Sequence, residues 1–551
     1  MKPVLIIGGG IAGLSAAITL AEQGQESFLI SSMPSERAQS VMAEGGINAA
    51  LNTKGQQDTP EEHFRDTMAA GCDLADPNAV RGMTHTAPWL VRGLAARGVA
   101  FHRTEAGDID LRPFGGQKKQ RTAFVKSSTG KQITAALIRE ARRFEAKGLI
   151  RRLSHHELQK VVTNGEKCCT GCIIKDNYTN SCQLLAGNVL FATGGLNGLF
   201  GKTTGTTQNS GRAAAAAFAA GAAFANLEMI QYHPTTVACS GKRMLISEAA
   251  RGEGGRLFAW RNGEKWYFME ENYPELKNLM PRDVVSREID AVCRKLQLDQ
   301  VFLDLTELPE RVFAEKLSDL RDFCMEFLHI DPKAEPVPVA PGIHYFMGGL
   351  YVDARHRTTL PGLYAAGECA CQYHGANRLG GNSLLGALYG GRVAAETVLS
   401  DAVTYEPTED AETLWKKEVA AVEARQEGCS CAALHQEAVE LLRGSLGIRR
   451  EEGTLQMAAA SLNHLWKEAF AGRDPAVFPE EQLLEEQRLS LAFAMVESAA
   501  ARKESRGGHF RTDYPARNDA LFRKTTVALW KNNGVQITFA EIPEEEKPCI
   551  N

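Results

Sequence analysis

The 551-residue chain lacks an apolar run long enough to cross a bilayer. Its most apolar-looking stretch, Ala213 to Ala225, is thirteen residues and mostly alanine, against the roughly 20 that a spanning helix needs. A charge excess is missing too: 62 Lys and Arg against 67 Asp and Glu leave a net charge of -5. That balance gives no overall field for holding a polyanion, so nucleic acid is not an expected partner. No CxxCxxC or CxxCH run occurs, so the chain is not expected to carry an iron-sulfur cluster or haem itself. Histidine is absent between Met1 and Asp58. The opening MKPVLIIGGGIAGL has no small-residue cleavage site after its apolar stretch and reads as a strand entering a turn, the expected start of the mature chain.

What is present is ordinary in bulk and unusual in placement. Apolar residues make up 44% and charged residues 23%, the balance of a soluble globular protein, and the length calls for two to four packed units. The 51 glycines exceed the usual share of about 7% and fall in tight clusters, which points to close backbone approach to a ligand. Thirteen scattered cysteines predict free thiols in a reducing compartment. Cys169 and Cys172 form a CxxC without a matching second pair, so they are read as structural rather than as a metal or redox site.

Val4 to Ile7 feeds Gly8-Gly9-Gly10-Ile11-Ala12-Gly13, then a helical stretch and a second strand, Ser27 to Ile30: a βαβ start with a dinucleotide-binding fingerprint. Gly8 makes the tight turn, Gly10 leaves room for a pyrophosphate, and Gly13 allows close helix packing, while the helix N-terminus, from Ile11 and Ala12 on, offers amide donors. The acidic residue expected after the second strand is missing. Ser31 and Ser32 stand there, so a hydroxyl is expected to hold the ribose. Two more strand-plus-glycine elements, Asn188 to Gly195 and Gly362 to Glu368, read as further pieces of the same sheet split by insertions. The expected architecture is α/β: a Rossmann-like domain from 1–224 and 343–400, an inserted α+β domain at 225–342, a helical domain at 401–504, and a tail at 505–551 ending in an acidic, solvated stretch, Glu541 to Glu546.

Six ordered segments carry a resemblance: Glu44-Gly45-Gly46-Ile47-Asn48-Ala49, Gln231-Tyr232-His233-Pro234-Thr235, Arg251-Gly252-Glu253-Gly254-Gly255, Pro281-Arg282-Asp283-Val284-Val285, His344-Tyr345-Phe346-Met347-Gly348-Gly349, and His374 through Leu384. Together they resemble the flavoprotein subunit of fumarate reductases and succinate dehydrogenases, with the L-aspartate oxidases as close relatives. The resemblance spans nearly the whole chain. It implies FAD, a capping domain over the flavin, and interconversion of fumarate and succinate between the two. On the cofactor side it adds Ser31, Gly45, Gly46, Thr193, Gly194, Glu368, Asn382, Ser383 and Leu384 to the glycine loop.

For the substrate, the resemblance implies Arg378 as a carboxylate clamp, a role its planar fork suits, with His233, Ser247 and His344 at the other substrate-holding positions. Arg282 is the implied proton donor, reprotonated through Glu248 and Arg251. The alternative for those three is a structural ion-pair network. A partner iron-sulfur protein, and a membrane anchor beyond it, would place the chain in the cytoplasm, peripheral on the inner face of the cell membrane.

Three departures qualify the resemblance. Membrane-bound members carry a His within Arg-Ser-His-Thr that bonds covalently to the flavin. This chain has Arg37-Ala38-Gln39-Ser40, so non-covalent FAD and fumarate reduction are the expected state and direction, with succinate oxidation or L-aspartate oxidation as alternatives. Ser210-Gly211-Arg212-Ala213 stands where Thr-Gly-Asp-Gly is common. Aspartate oxidases place a carboxylate for the substrate ammonium within a Glu-Gly-Gly-His stretch; here Phe114, before Gly115-Gly116-Gln117, offers no charge partner.

Overall fold

In a computed structural model the protein is described over residues 2–239, 242–408 and 410–546. The parts of the expected segments at Met1, Ser240, Gly241, Glu409 and 547–551 lie outside the described residues. Five parallel strands form the central sheet, in the order Leu363–Ala365, Val189–Phe191, Val4–Ile7, Ser27–Ser31 and Ile150–Ser154. Val4–Ile7 and Val189–Phe191 are buried along their whole length, as expected for parallel strands covered on both faces. Strands separated by more than 170 residues thus meet in register, Leu5 beside Val189 and Val189 beside Leu363, and the three glycine-bearing elements end at one edge.

A six-stranded antiparallel sheet runs in the order Lys242–Leu245, Ile230–Cys239, Val337–Phe346, Val301–Asp304, Arg256–Arg261 and Glu264–Trp266. It packs with the helix Arg282–Leu296 around its own core of Leu257, Val285, Ile289, Leu303 and Val339. Four helices follow, Ala411–Glu423, Cys431–Ser445, Glu452–Ala471 and Pro479–Ala501. The fold is thus an α/β nucleotide-binding unit with a capping sheet and a helical C-terminal part.

Among the described residues, the segment from Arg502 to Glu546 is packed against the rest of the protein. A hairpin, Lys524–Lys531 and Gly534–Glu541, pairs through Ala528 with Phe224. Arg502, fully buried, donates to Glu228 at 2.6 Å and to Glu504 at 2.9 Å. The acidic stretch Glu541 to Glu546 was expected to be solvated and its glutamates are exposed, but the arginines ahead of it, Arg502, Arg506 and Arg511, are buried against carboxylates and carbonyls. Even the exposed acidic end is tied down, with Asn78 accepting from the Glu546 amide and Arg81 paired to Glu545. Cys169 and Cys172 carry buried free thiols on the strand Cys169–Asp176. Burial pushes the Cys169 thiol up to about 12, an inert range.

Candidate active site

One cavity of about 1000 Å³ joins the carboxyl ends of the parallel strands to the cap. Gly8, Gly10, Ile11, Ala12, Ser31, Gly45, Gly46, Thr193, Gly194, Glu368, Ser383 and Leu384 line one part. Phe114, His233, Ser247, Glu248, Arg282, His344 and Arg378 line another. The structure thus brings most of the sequence-derived residues to a single space.

Three of them stand behind the wall. Gly13 is a packing residue: a Cβ there would sit 2.0 Å from the Gly8 carbonyl oxygen and 3.1 Å from Leu29, so only glycine lets the helix Ile11–Glu22 approach the strand. Asn382 turns away from the cavity. As the first residue of Asn382–Asp401 its side chain is satisfied from below, accepting from Asn48 at 2.7 Å and donating to Thr67 at 3.0 Å. Arg251 lies beneath Glu248.

The cofactor part is made of backbone. Two helices, Ile11–Glu22 and Asn382–Asp401, begin at the cavity after Gly10 and Gly381, and neither cap residue closes its helix with a side-chain bond. The first amide of each is engaged, Ile11 by the Ser40 hydroxyl at 3.3 Å and Asn382 by the Leu379 carbonyl at 3.2 Å, and the positive ends of the two helices suit a pyrophosphate. A residue that sequence reasoning passed over, Arg112, shapes the opposite wall. Fully buried, it donates from Nε to the Gly45 carbonyl at 3.0 Å and from Nη2 to the Glu44 carbonyl at 3.3 Å. Because these peptides are trans and planar, the amides of Gly45 and Gly46 point the other way from those carbonyls. Ser31 lines the cavity, although its hydroxyl donates to the Met33 carbonyl at 2.7 Å. Gln39 is part of the wall and accepts from the Thr206 amide at 2.8 Å. Arg212 also lines the cavity, with Nη1 3.5 Å from a Glu157 oxygen. Glu368 accepts from the Phe346 amide at 3.1 Å, and burial pushes its carboxyl up to about 7.

The second part is made of side-chain charge. Glu248 is buried between two guanidinium groups. Arg282 donates to its Oε2 from Nε at 2.9 Å and from Nη2 at 2.5 Å, and Arg251 reaches its Oε1 at 3.3 Å. The Gly115 amide donates to Oε1 at 3.1 Å. Burial works to raise the Glu248 carboxyl, but the two arginines outweigh it and hold the group below its ordinary value. Gln231, also unassigned from sequence, accepts from Arg282 Nη1 at 3.0 Å and donates to the Arg378 carbonyl at 2.8 Å, which fixes the two arginines relative to one another.

Arg378 lies over Tyr345, 4.2 Å from the ring centre, and its Nε has no partner. Burial, with the charge of Arg282, brings its guanidinium down to about 10. His233 and His344 stand edge to face, 5.2 Å apart. Nε2 of His233 has no partner, while Nδ1 of His344 lies 2.7 Å from the Thr204 hydroxyl. Burial and Arg282 hold both rings well below the ordinary imidazole range, so they are neutral hydrogen-bonding groups at pH 7. Arg378 and His233, each with a buried nitrogen that lacks a partner, both line the cavity, and a cationic group with a neutral ring beside it suits an anionic, hydrogen-bond-accepting ligand.

Comparison with known proteins places the chain in a family. Residues 3–384 match the FAD binding domain family, and residues 435–548 match the fumarate reductase flavoprotein C-terminal family. The chain is 38% identical to the succinate dehydrogenase flavoprotein subunit of Bacillus subtilis, over 95% of this chain and 93% of that one. It is 32% identical to the L-aspartate oxidase of Streptomyces coelicolor, over 95% and 90%. Among solved structures it superposes on E. coli quinol fumarate reductase with a TM-score of 0.90 and 29% identity, covering 100% of this chain and 98% of that one. The chain belongs to the flavoprotein-subunit family of succinate dehydrogenases and fumarate reductases, FAD-dependent oxidoreductases that act on CH–CH bonds.

Proposed function

We propose that the protein is a fumarate reductase flavoprotein that holds FAD non-covalently and uses Arg282 as the proton donor. The observation that carries this reading is the buried chain Arg282–Glu248–Arg251, which meets the cavity beside the unpaired nitrogens of Arg378 and His233. Arg378 clamps one carboxylate of the substrate, and His233, His344 and Ser247 hold the other. Bound FAD, once reduced, supplies the hydride. Arg282 holds its proton on a guanidinium kept in place by Glu248 and Gln231, and Glu248 passes a replacement from the Arg251 side. Phe114, buried at this end, leaves a substrate ammonium without a partner, which disfavours L-aspartate.

Gln39 supports the non-covalent state: it stands in the cavity wall where a flavin-bonding histidine is expected, and an amide cannot form that bond. Acid precipitation should release all yellow colour; colour in the pellet would contradict it. No helix among the described residues is long and apolar enough to cross a membrane. An iron-sulfur subunit, with a membrane anchor beyond it, would regenerate the reduced cofactor and place the chain peripherally on the cytoplasmic face. Metal and quinone analysis of the copurified native complex tests this.

Mixing dithionite-reduced holoprotein with fumarate tests the activity. Reoxidation of the flavin with formation of succinate is expected, and a flavin that stays reduced would overturn the reading. The B. subtilis relative favours succinate oxidation as a second reading; a faster rate with succinate and an artificial acceptor than with fumarate and dithionite would select it.

A further inference from the structure

Three cations from separate segments line the cavity, and none is paired with a carboxylate among the described residues. Arg243 belongs to the cap hairpin, Arg443 to the last turn of Cys431–Ser445, and Lys202 to the loop after Asn197–Leu199.

Arg243 is seated rather than loose. Its Nε donates to the Thr236 hydroxyl at 2.7 Å and its Nη2 to the Ala340 carbonyl at 3.2 Å. The seat depends on Gly342, where a Cβ would come within 2.8 Å of Nε. Val439, one helical turn before Arg443, lies 3.4 Å from the position of a Cβ on Gly201, so the helix of Arg443 packs on the loop that carries Lys202. Burial and the charge of Arg443 together hold the Arg243 guanidinium below its usual range, so the two like charges are close enough to oppose one another. An arrangement of this kind is relieved by an anion.

The group sits next to the candidate substrate positions. Thr236 and Ala340 lie three and four residues from His233 and His344, and the Lys202 loop supplies the Thr204 hydroxyl that bonds His344. Arg443 and Lys202 are exposed, whereas Arg243 is half-buried, so the three run inward from solvent.

We propose that Lys202, Arg243 and Arg443 form an outer anion subsite that captures a small dicarboxylate and passes it to Arg378 and the two histidines. The proposal rests on the fumarate-reducing reading above. The test uses the FAD-loaded protein and the variants Arg443→Glu, Arg243→Gln and Arg243→Lys. Malonate affinity is read from the flavin spectrum, and fumarate kcat and KM are measured against ionic strength. At low salt, R443E should raise both the malonate Kd and the fumarate KM by about tenfold, with kcat held within about twofold. The gap should close towards 1 M salt, where the screening length falls to about 3 Å. R243Q should act in the same direction, and R243K should recover most of the loss. Unchanged Kd and KM in R443E, a salt-independent defect, or a fall in kcat at constant KM would each overturn the subsite. If the unsubstituted protein neither binds malonate nor reduces fumarate, the functional reading fails first, and the subsite with it.

Discussion

The two parts of the cavity are built from different materials. The cofactor part is backbone: helix N-termini, glycines and carbonyls, with few side-chain contacts beyond Arg112 and Glu368. The substrate part is side chain, and it buries guanidinium groups that are costly to desolvate unless paired. Backbone contacts tolerate changes of side chain but not of chain path, whereas a buried charge network tolerates neither a lost charge nor a lost partner. Substitutions in the two parts should therefore fail in different ways.

The largest expected effect is at Arg282. Its replacement by Ala or Lys should lower fumarate turnover by about 10²–10⁴-fold, the range for loss of a positioned proton donor, while FAD content stays unchanged. Retained turnover in both variants would reduce the Arg282–Glu248–Arg251 chain to a structural network. Glu248→Gln should be harmful in a second way. It leaves Arg282 and Arg251 buried without their carboxylate, at a cost of about 3–5 kcal/mol, so a drop in the urea midpoint should accompany the lost activity.

Gly13→Ala should show the opposite pattern. The added methyl meets the Gly8 carbonyl oxygen, overpacking of this kind costs about 1–3 kcal/mol, and FAD should be lost before the substrate end is disturbed. Normal FAD content in this variant would break the distinction between the two parts.

The smallest effect concerns pH. Glu368, with its carboxyl raised to about 7 against an ordinary 4.5, is more readily protonated in the folded state than in the unfolded chain. Its contribution to apoprotein stability is therefore fully present below about pH 4.5 and is lost as pH rises through about 7, with a slope of at most about 1.4 kcal/mol per pH unit. Glu368→Gln should flatten the Tm profile between pH 5 and 8; an identical profile would show that burial at this position is slight.

The same division governs what could be read from sequence. The glycine loop, the split sheet and the ordered motifs were legible because glycine spacing and strand-turn patterns are local signals; Arg282 and Arg378 sat inside those motifs, and Glu248 lay three residues before one of them. Gln231 stood in a motif without a role and Arg112 was passed over, because a bond to an arginine 51 residues on, or to a carbonyl 67 residues away, leaves no local pattern. Asn382 was placed in the cofactor set by its motif, yet its side chain serves a buried polar cluster. The arginines of the C-terminal segment were given no role for a related reason: their partners, such as Glu228 for Arg502, are remote in sequence and are brought near only by the fold.

The central claim is that a flat diacid is held with Arg378 on one carboxylate and Arg282 poised over its double bond. A crystal structure of the FAD-loaded protein with fumarate tests it most directly. The account predicts the ligand within hydrogen-bond distance of both guanidinium groups and of His233 Nε2. A ligand bound elsewhere in the cavity, with both arginines directed away from it, would contradict the account.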